Sequence, residues 1–233
     1  AAGNVIFGWI VLRETVNTRS AAPLSWRRAN PLGALRALGD LPGVSRLLLV
    51  YFLYHLAFAV YPSVWSYFGK AQFGWSPAMI GGSLALFGAA MAVVQGGLIR
   101  PVLHRFAERG TVLIGFVCSI TTFGLIATVT WGSAILILTP LAALAGVIPP
   151  ALQALMSARV TPERQGALQG LLTSASALAM VVAPLVMTSV FAAFTSASTP
   201  VYFAGAPFVL SMILSVVALV VFRRVRINPA HVD

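Results

Sequence analysis

Long apolar stretches alternate with short polar segments along the chain. The long stretches have about the 20 residues that a helix needs to cross roughly 30 Å of hydrocarbon. No charged residue lies in their interior, and they occupy 46–67, 77–99, 111–129, 134–157, 167–191 and 201–222. The shorter apolar segment 1–12 is typical of the end of another helix. The pattern therefore predicts an all-α integral membrane protein, a six-helix transmembrane bundle preceded by a helix end.

The composition excludes a soluble protein, because 59% of the residues are hydrophobic and only 9% are charged. The formal net charge of +10 also occurs in nucleic-acid-binding proteins, but those cluster Lys and Arg on a solvated domain. Here long apolar stretches separate the arginines, so we expect the lipid bilayer as a partner and no nucleic acid. Cys118 is the only cysteine, which excludes an internal disulfide and a multi-cysteine metal site.

The basic residues divide unequally between the two sides of the predicted bundle. When the connecting segments are assigned to alternate sides, one side receives only Lys70 and the other receives the fourteen remaining basic residues, all arginines. Cytoplasmic loops of membrane proteins carry such an excess. The division predicts a bacterial-type inner membrane protein with 13–45, 100–110, 158–166 and the C-terminus in the cytoplasm.

Rare polar side chains within the first predicted span raise the question of function. Tyr51 and His55 are four residues apart and share one helix face, and Pro62 breaks the helical hydrogen bonds one to two turns later. Ionisable residues within a membrane are candidates for function, and histidine changes charge near neutral pH. A neutral His55 that bonds a neighbouring helix is the structural alternative.

The fourth predicted span is interrupted in its middle. Gly146, Pro149 and Pro150 favour a bend, and Gln153 follows one turn after Pro149 on the same face. Transporters often place binding sites where helices are interrupted. The bend is either purely structural or part of a binding site, and Gln153 is a candidate for binding or gating.

Two further glutamines are candidates for gating. Gln95 lies near the predicted cytoplasmic end of the second span, in a glycine-rich segment that favours close helix packing. Gln169 lies at the start of the fifth span between Gly166 and Gly170, whose spacing is that of a GxxxG packing motif.

An enzyme is not indicated. The sequence has no P-loop, no paired carboxylates and no histidine cluster that would hold a metal. Ser83 and His55 would be the pair of an intramembrane serine protease, but the segment GGSLA lacks a glycine after the serine.

Several segments resemble a known family. The runs NPLGALR, SLALFGAAMAVVQ, RPVLHRFAERG and above all PALQALMSARVTPERQGALQG are similar to the C-terminal half of tetracycline-efflux-like transporters of the major facilitator superfamily. The resemblance implies that 1–12 is the end of helix six, 13–45 the central cytoplasmic loop, 46–222 the C-terminal bundle and 223–233 a cytoplasmic tail. It also implies an N-terminal six-helix half as a partner.

The resemblance implies antiport of a drug against protons by alternating access, with the proton gradient as energy source and no cofactor. It places Tyr51, His55, Gln153 and Met91 towards the small-molecule substrate. Similar tetracycline exporters carry a histidine where Met91 stands and an intramembrane aspartate where Ser119 stands. His55 stands where a glutamine is usual in helix seven of these exporters. A different amphiphilic drug or metabolite is therefore as plausible a substrate as tetracycline.

The loop between the second and third spans is only a degenerate match to the loop motif of the superfamily, carried here by Arg100, Arg105 and Arg109. The remaining alternative is a six-helix membrane protein without transport activity, a scaffold or partner subunit.

Overall fold

A computed structural model describes residues 43–196 and 199–225, and every regular element in these ranges is a helix. The predicted loop 13–45, except for its last residues, and the end of the tail 223–233 lie outside the described residues. A π-helix covers Val94–Leu98, and 3₁₀-helices cover Ala145–Val147 and Pro162–Arg164. The α-helices are α1 Ser45–Phe58, α2 Val60–Phe73, α3 Pro77–Val93, α4 Ile99–Thr128, α5 Gly132–Leu144, α6 Ile148–Ser157, α7 Gln165–Thr195 and α8 Ala206–Arg223.

Five helical stretches among the described residues are long and apolar enough to cross a membrane: Ser45–Phe73, Pro77–Thr128, Gly132–Ser157, Pro162–Thr195 and Ala206–Arg223. The prediction of an all-α membrane protein is thus confirmed, but the count of six spans is not reproduced. The predicted second and third spans lie together in Pro77–Thr128, which has 52 residues. The predicted last span begins at Ala206 rather than at 201.

The predicted loop 100–110 contains a break in the helix at Ala107, and the residues on both sides of this break are helical. Ala107 has φ 51° and ψ 178°, a conformation that non-glycine residues rarely adopt. The hydroxyl of Thr111 donates to the carbonyl oxygen of Ala107 at 2.7 Å, which holds the first turn after this break. The interruption of the helix within the predicted loop is therefore confined to one residue.

The predicted loop 158–166 is shorter in the structure, because helical turns begin again at Pro162. The Gln165 side-chain amide donates to the carbonyl oxygens of Ser157 and Val160 at 3.0 and 3.2 Å. These two bonds close the turn between α6 and α7 over only a few residues.

The first stretch is interrupted at Ala59, between α1 and α2. Pro62 explains the position of the break, since it has no N–H and its ring crowds the carbonyl of Phe58 four residues earlier. Pro62 itself is exposed. The stretch ends at Gly74, which adopts the left-handed conformation with φ 65°.

Two groups of buried side chains fill the interior. The aliphatic core joins α1, α4, α6, α7 and α8, and includes Leu47, Val50, Val112, Ile148, Leu152 and Leu168. The aromatic core joins α2, the end of α4 and the start of α8, and includes Tyr61, Trp65, Phe68, Trp75, Phe123 and Phe208. His55 lies on α1 between the two.

Helix α3 contributes little to either core, and α7 buries only a minority of its residues. Ser83 is the only buried residue of α3. In the stretch Pro162–Thr195, only 17% of an apolar segment long enough to cross the membrane is buried. Gly81, Gly88 and Gly170 have no atom within 4 Å of a Cβ added to them. Both helices therefore present broad uncovered faces.

Candidate functional site

Tyr51 and His55 form a compact pair on α1. The Nδ1 atom of His55 lies 2.9 Å from the carbonyl oxygen of Tyr51, one helical turn earlier. The two ring centroids are 4.2 Å apart with a tilt of 41°. The four-residue spacing, which places both side chains on one face, produces this contact directly.

Gln153 reaches this pair from α6. Its side-chain Nε2 donates to the phenol oxygen of Tyr51 at 3.4 Å, which joins two helices whose contact residues are 102 positions apart. Gln153 and His55 are half-buried, while Tyr51 is buried. The structure therefore brings together three of the four predicted substrate-binding side chains, which we call the Tyr51 cluster.

Tyr54 is a member of this region that the sequence analysis missed. Its ring meets the His55 ring edge to face at 5.2 Å and stacks on Phe58 at 5.5 Å. The imidazole thus lies between two tyrosine rings. The adjacent aromatic letters in YFLYH were the available signal, but neighbours in sequence point to different helix faces, and only the ring geometry shows the contact.

Met91, the fourth predicted substrate-binding residue, lies in a second cluster with two of the predicted gating residues. A Cβ added to Gly146 would lie 2.9 Å from the Met91 sulfur and 4.0 Å from Nε2 of Gln95. Gln95 is exposed and belongs to the π-helix, and Gly146 is buried in the facing 3₁₀-helix. π-Helical turns occur frequently at functional sites.

Pro149 and Pro150 explain why the fourth stretch changes its winding. They stand in the first turn of α6, where a missing N–H is tolerated, and both are half-buried. The preceding turn tightens to a 3₁₀-helix, with Gly146 at its centre. The predicted interruption is therefore present, and it separates α5 from α6.

The remaining candidate residues lie outside the Tyr51 cluster. Gln169 is exposed on α7, and Arg100, Arg105 and Arg109 are exposed on α4. No group of three or more His, Cys, Asp or Glu residues that would hold a metal occurs in the part of the chain that the structure describes. Arg159 donates to the carbonyl oxygen of Gly43 at 2.8 Å, and partial burial lowers its pKa.

A second set of polar side chains, which the sequence analysis missed, lies between α4 and α8. Ser119 and Ser215 are buried, with their hydroxyl oxygens 3.4 Å apart. Thr122 and Ser211 are also buried, Thr122 one turn after Ser119 in α4 and Ser211 one turn before Ser215 in α8. The Ser211 hydroxyl donates to the carbonyl of Pro207, whereas the Thr122 hydroxyl has no hydrogen-bond partner among the described residues. We call these four residues the hydroxyl seam.

The family follows from a match that covers most of the chain. Residues 47–232 match the family model of the Major Facilitator Superfamily. The chain belongs to this superfamily. Among its relatives, the class C tetracycline resistance protein of Escherichia coli is 32% identical over 95% of this chain and 54% of its own length. The class G protein of Vibrio anguillarum is 36% identical over 84% of this chain and 49% of its own length.

A solved structure agrees with this assignment. The crystal structure of the human organic anion transporter MFSD10 (TETRAN) superposes with a TM-score of 0.80 at 26% identity, covering 95% of this chain and 54% of that one. The chain thus spans about half the length of the relatives that it matches. The resemblance to tetracycline-efflux-like members of the superfamily is confirmed, and the scaffold alternative is not favoured.

Proposed function

We propose that this chain is the C-terminal half of a proton-coupled exporter of small amphiphilic molecules, and that the Tyr51 cluster lines its substrate path. The main support for this proposal is that Tyr51, His55 and Gln153 lie together in an otherwise apolar environment. Polar groups are costly within a membrane and are retained mainly where they serve a pathway. The resemblance to tetracycline resistance proteins supports export, with tetracycline as one candidate substrate.

An N-terminal six-helix half would cover the exposed faces of α3 and α7. These faces carry small residues over which another helix can approach closely, as the open space above Gly81, Gly88 and Gly170 indicates. The carboxylates of the described residues are Glu108, beside the break at Ala107, and Glu163, at the start of the stretch Pro162–Thr195. We therefore propose that acidic proton-binding groups lie in the partner half, and that this chain by itself does not transport.

The six-span topology remains part of the proposal. A straight helix of 52 residues would be about 78 Å long, far more than about 30 Å of hydrocarbon. The stretch Pro77–Thr128 contains the break at Ala107, and both α3 and α4 pack against α5. We propose that the chain reverses at Ala107 and crosses twice. The arginines beside it would then face the cytoplasm, with Lys70 on the opposite side.

Transport by the full-length protein in liposomes tests the proposal. With an inward-acid proton gradient, the wild type should move tetracycline or ethidium, whereas His55→Ala and Gln153→Leu should reduce transport at least about tenfold, the effect expected when a hydrogen bond to substrate is lost. His104→Gln is the matched control, because His104 is exposed and lies away from the cluster. Full activity of both cluster variants at equal membrane abundance would contradict the assigned path.

Labelling with a membrane-impermeant thiol reagent tests the topology in intact cells. In a cysteine-free background, Lys70→Cys should react and Arg105→Cys should react only after the cells are opened. Reaction of both from outside, or of Arg105→Cys alone, would show that the stretch Pro77–Thr128 is not a double crossing with a cytoplasmic reversal.

A further inference from the structure

We propose that the Nε2 atom of His55 binds either a proton or a hydrogen-bond donor of the substrate, so that the two exclude each other at one lone pair. The substrate class is then an amphiphile that carries an O–H or N–H group. This inference rests on the proposed function of the Tyr51 cluster and adds an atom of this chain at which substrate and proton compete, besides the acidic groups proposed for the partner half.

The hydrogen bond at Nδ1 determines the tautomer of the neutral His55 ring. Nδ1 of His55 lies 2.9 Å from the carbonyl oxygen of Tyr51, and a carbonyl can only accept a hydrogen bond. Nδ1 must therefore carry the proton in the neutral ring. The lone pair of neutral His55 is consequently fixed at Nε2.

The lone pair at Nε2 accepts no hydrogen bond from the described residues. No hydrogen bond to Nε2 occurs within residues 43–196 and 199–225, and the side chain is half-buried, so a ligand can reach it. Tilted and edge contacts with the rings of Tyr51 and Tyr54 hold the imidazole in place. The atom is thus both positioned and available.

The neighbouring polar groups complete a defined pattern. Gln153 donates to the phenol oxygen of Tyr51 at 3.4 Å, which leaves the phenol O–H to donate elsewhere. A ligand therefore meets one acceptor, Nε2, and one donor, the phenol. A substrate hydroxyl or amine N–H satisfies the acceptor, and an oxygen on the same molecule satisfies the phenol.

Protonation reverses the role of Nε2. When the lone pair takes up a proton from solution, the neutral imidazole becomes an imidazolium with one positive charge, and Nε2 becomes a donor. A substrate O–H or N–H then loses its acceptor, and a cationic amine is also repelled. Binding of substrate and binding of a proton are therefore mutually exclusive at this atom, and each weakens the other reciprocally.

Other titratable groups do not supply this behaviour. Tyr51 and Tyr54 face the ring from its own helix. On the helices that pack against α1, the titratable or charged groups are Tyr61, Tyr67 and Lys70 of α2 and Arg223 at the end of α8. Helix α4 also meets α1, where Phe116 contacts Tyr54, and it carries Arg100, His104, Arg105, Glu108, Arg109 and Cys118. Helices α6 and α7 contribute none.

Nitrogen NMR of the full-length protein with labelled histidine tests the inference, using phenol and anisole as probes. The two probes have similar size, but only phenol has an O–H group. We expect an unprotonated Nε2 at neutral pH, a shift of its resonance by phenol and no comparable shift by anisole. The affinity for phenol should fall about tenfold per pH unit below the titration midpoint of His55.

Two substitutions separate the nitrogens. His55→Gln keeps an acceptor near the position of Nε2, so phenol should still bind, without pH dependence. His55→Asn keeps a donor near Nδ1 but no group at Nε2, so phenol binding should be lost. His104→Gln should titrate and bind like the wild type.

Equal shifts with both probes, a proton on Nε2 at neutral pH, or an unchanged pH slope in His55→Gln would overturn the inference. The wild-type spectra decide the question even if the variants do not fold. Failure of tetracycline and ethidium transport would instead count against the proposed function, because the probe measurements need no transported drug.

Discussion

The Tyr51 cluster and the hydroxyl seam both place polar side chains inside apolar helices, but they differ in closure. In the seam, Ser119 and Ser215 bond each other between tightly packed helices, and each is at most 3% exposed. In the Tyr51 cluster, His55 and Gln153 remain half-buried and keep hydrogen-bonding capacity for a ligand. Polarity within a membrane protein therefore indicates function where it is accessible, and packing where it is sealed.

The largest expected effect concerns the close approach that seals the seam. A Cβ added to Gly205, at the start of α8, would collide with the backbone carbonyl of Ala127 at the end of α4. Gly205→Ala should lower the free energy of unfolding by about 3 kcal/mol or more, because backbone cannot move aside like a side chain. Reversible unfolding in mixed micelles measures the change.

Gly82→Ala is the matched control, since no atom lies within 4 Å of a Cβ added there. It should be neutral or stabilising by up to about 1 kcal/mol, because alanine favours helix more than glycine does. Equal destabilisation by both variants would show that close packing of α4 and α8 is not what distinguishes the seam.

The second prediction addresses the accessible region. Tyr51→Phe removes the phenol oxygen that accepts from Gln153 and that we propose donates to a ligand. We expect substrate affinity of the full-length protein to fall about tenfold, equivalent to about 1.4 kcal/mol, with the unfolding free energy changed by no more than about 1 kcal/mol. Equilibrium binding of tetracycline and unfolding in micelles give the two quantities.

Tyr67→Phe is the control for this change, because Tyr67 is 61% exposed and lies outside the cluster. It should leave both affinity and stability as they are in the wild type. If Tyr51→Phe lowers stability without lowering affinity, the Tyr51 cluster resembles the seam, and the comparison between them fails.

The two regions also differ in how far sequence predicted them. The i, i+4 spacing of Tyr51 and His55 was sufficient to place them together, and the prolines near Gln153 located the interruption before α6. The seam was missed because serine and threonine within helices are common, and their pairing across α4 and α8 depends on register between helices. Sequence periodicity indicates the face of one helix, not its height against another.

The same distinction explains the errors in the fold. Hydropathy located the apolar stretches, because every charged residue must avoid the membrane interior. It could not show that helical turns extend to both sides of Ala107, over Arg100 and Arg105 before it and Arg109 after it, because the break is confined to one residue. Met91 was assigned to the substrate path from resemblance, and that assignment stays a prediction, while its side chain lies beside Gly146.

The third prediction measures the strength of the seam. In a double-mutant cycle with Ser119→Ala and Ser215→Ala, we expect a coupling energy of about 0.6 kcal/mol, the average for hydrogen bonds between membrane helices. Transport should be unchanged in all three variants at equal abundance. A loss of transport without a loss of stability would move the seam into the functional class.

The smallest expected effect concerns Thr122, the seam residue whose hydroxyl has no partner among the described residues. Thr122→Val replaces this hydroxyl with a methyl of similar size, so it should leave the unfolding free energy unchanged or raise it by less than about 0.5 kcal/mol. Thr139→Val is the control: Thr139 is equally sealed, but its hydroxyl donates to the carbonyl of Ile135 at 2.9 Å. That variant should lose about 0.5–1.5 kcal/mol. Opposite signs at two buried helical threonines would separate burial from bonding as the cause. If Thr122→Val loses as much as Thr139→Val, the Thr122 hydroxyl has a partner such as a bound water, and the seam is less closed than its packing indicates.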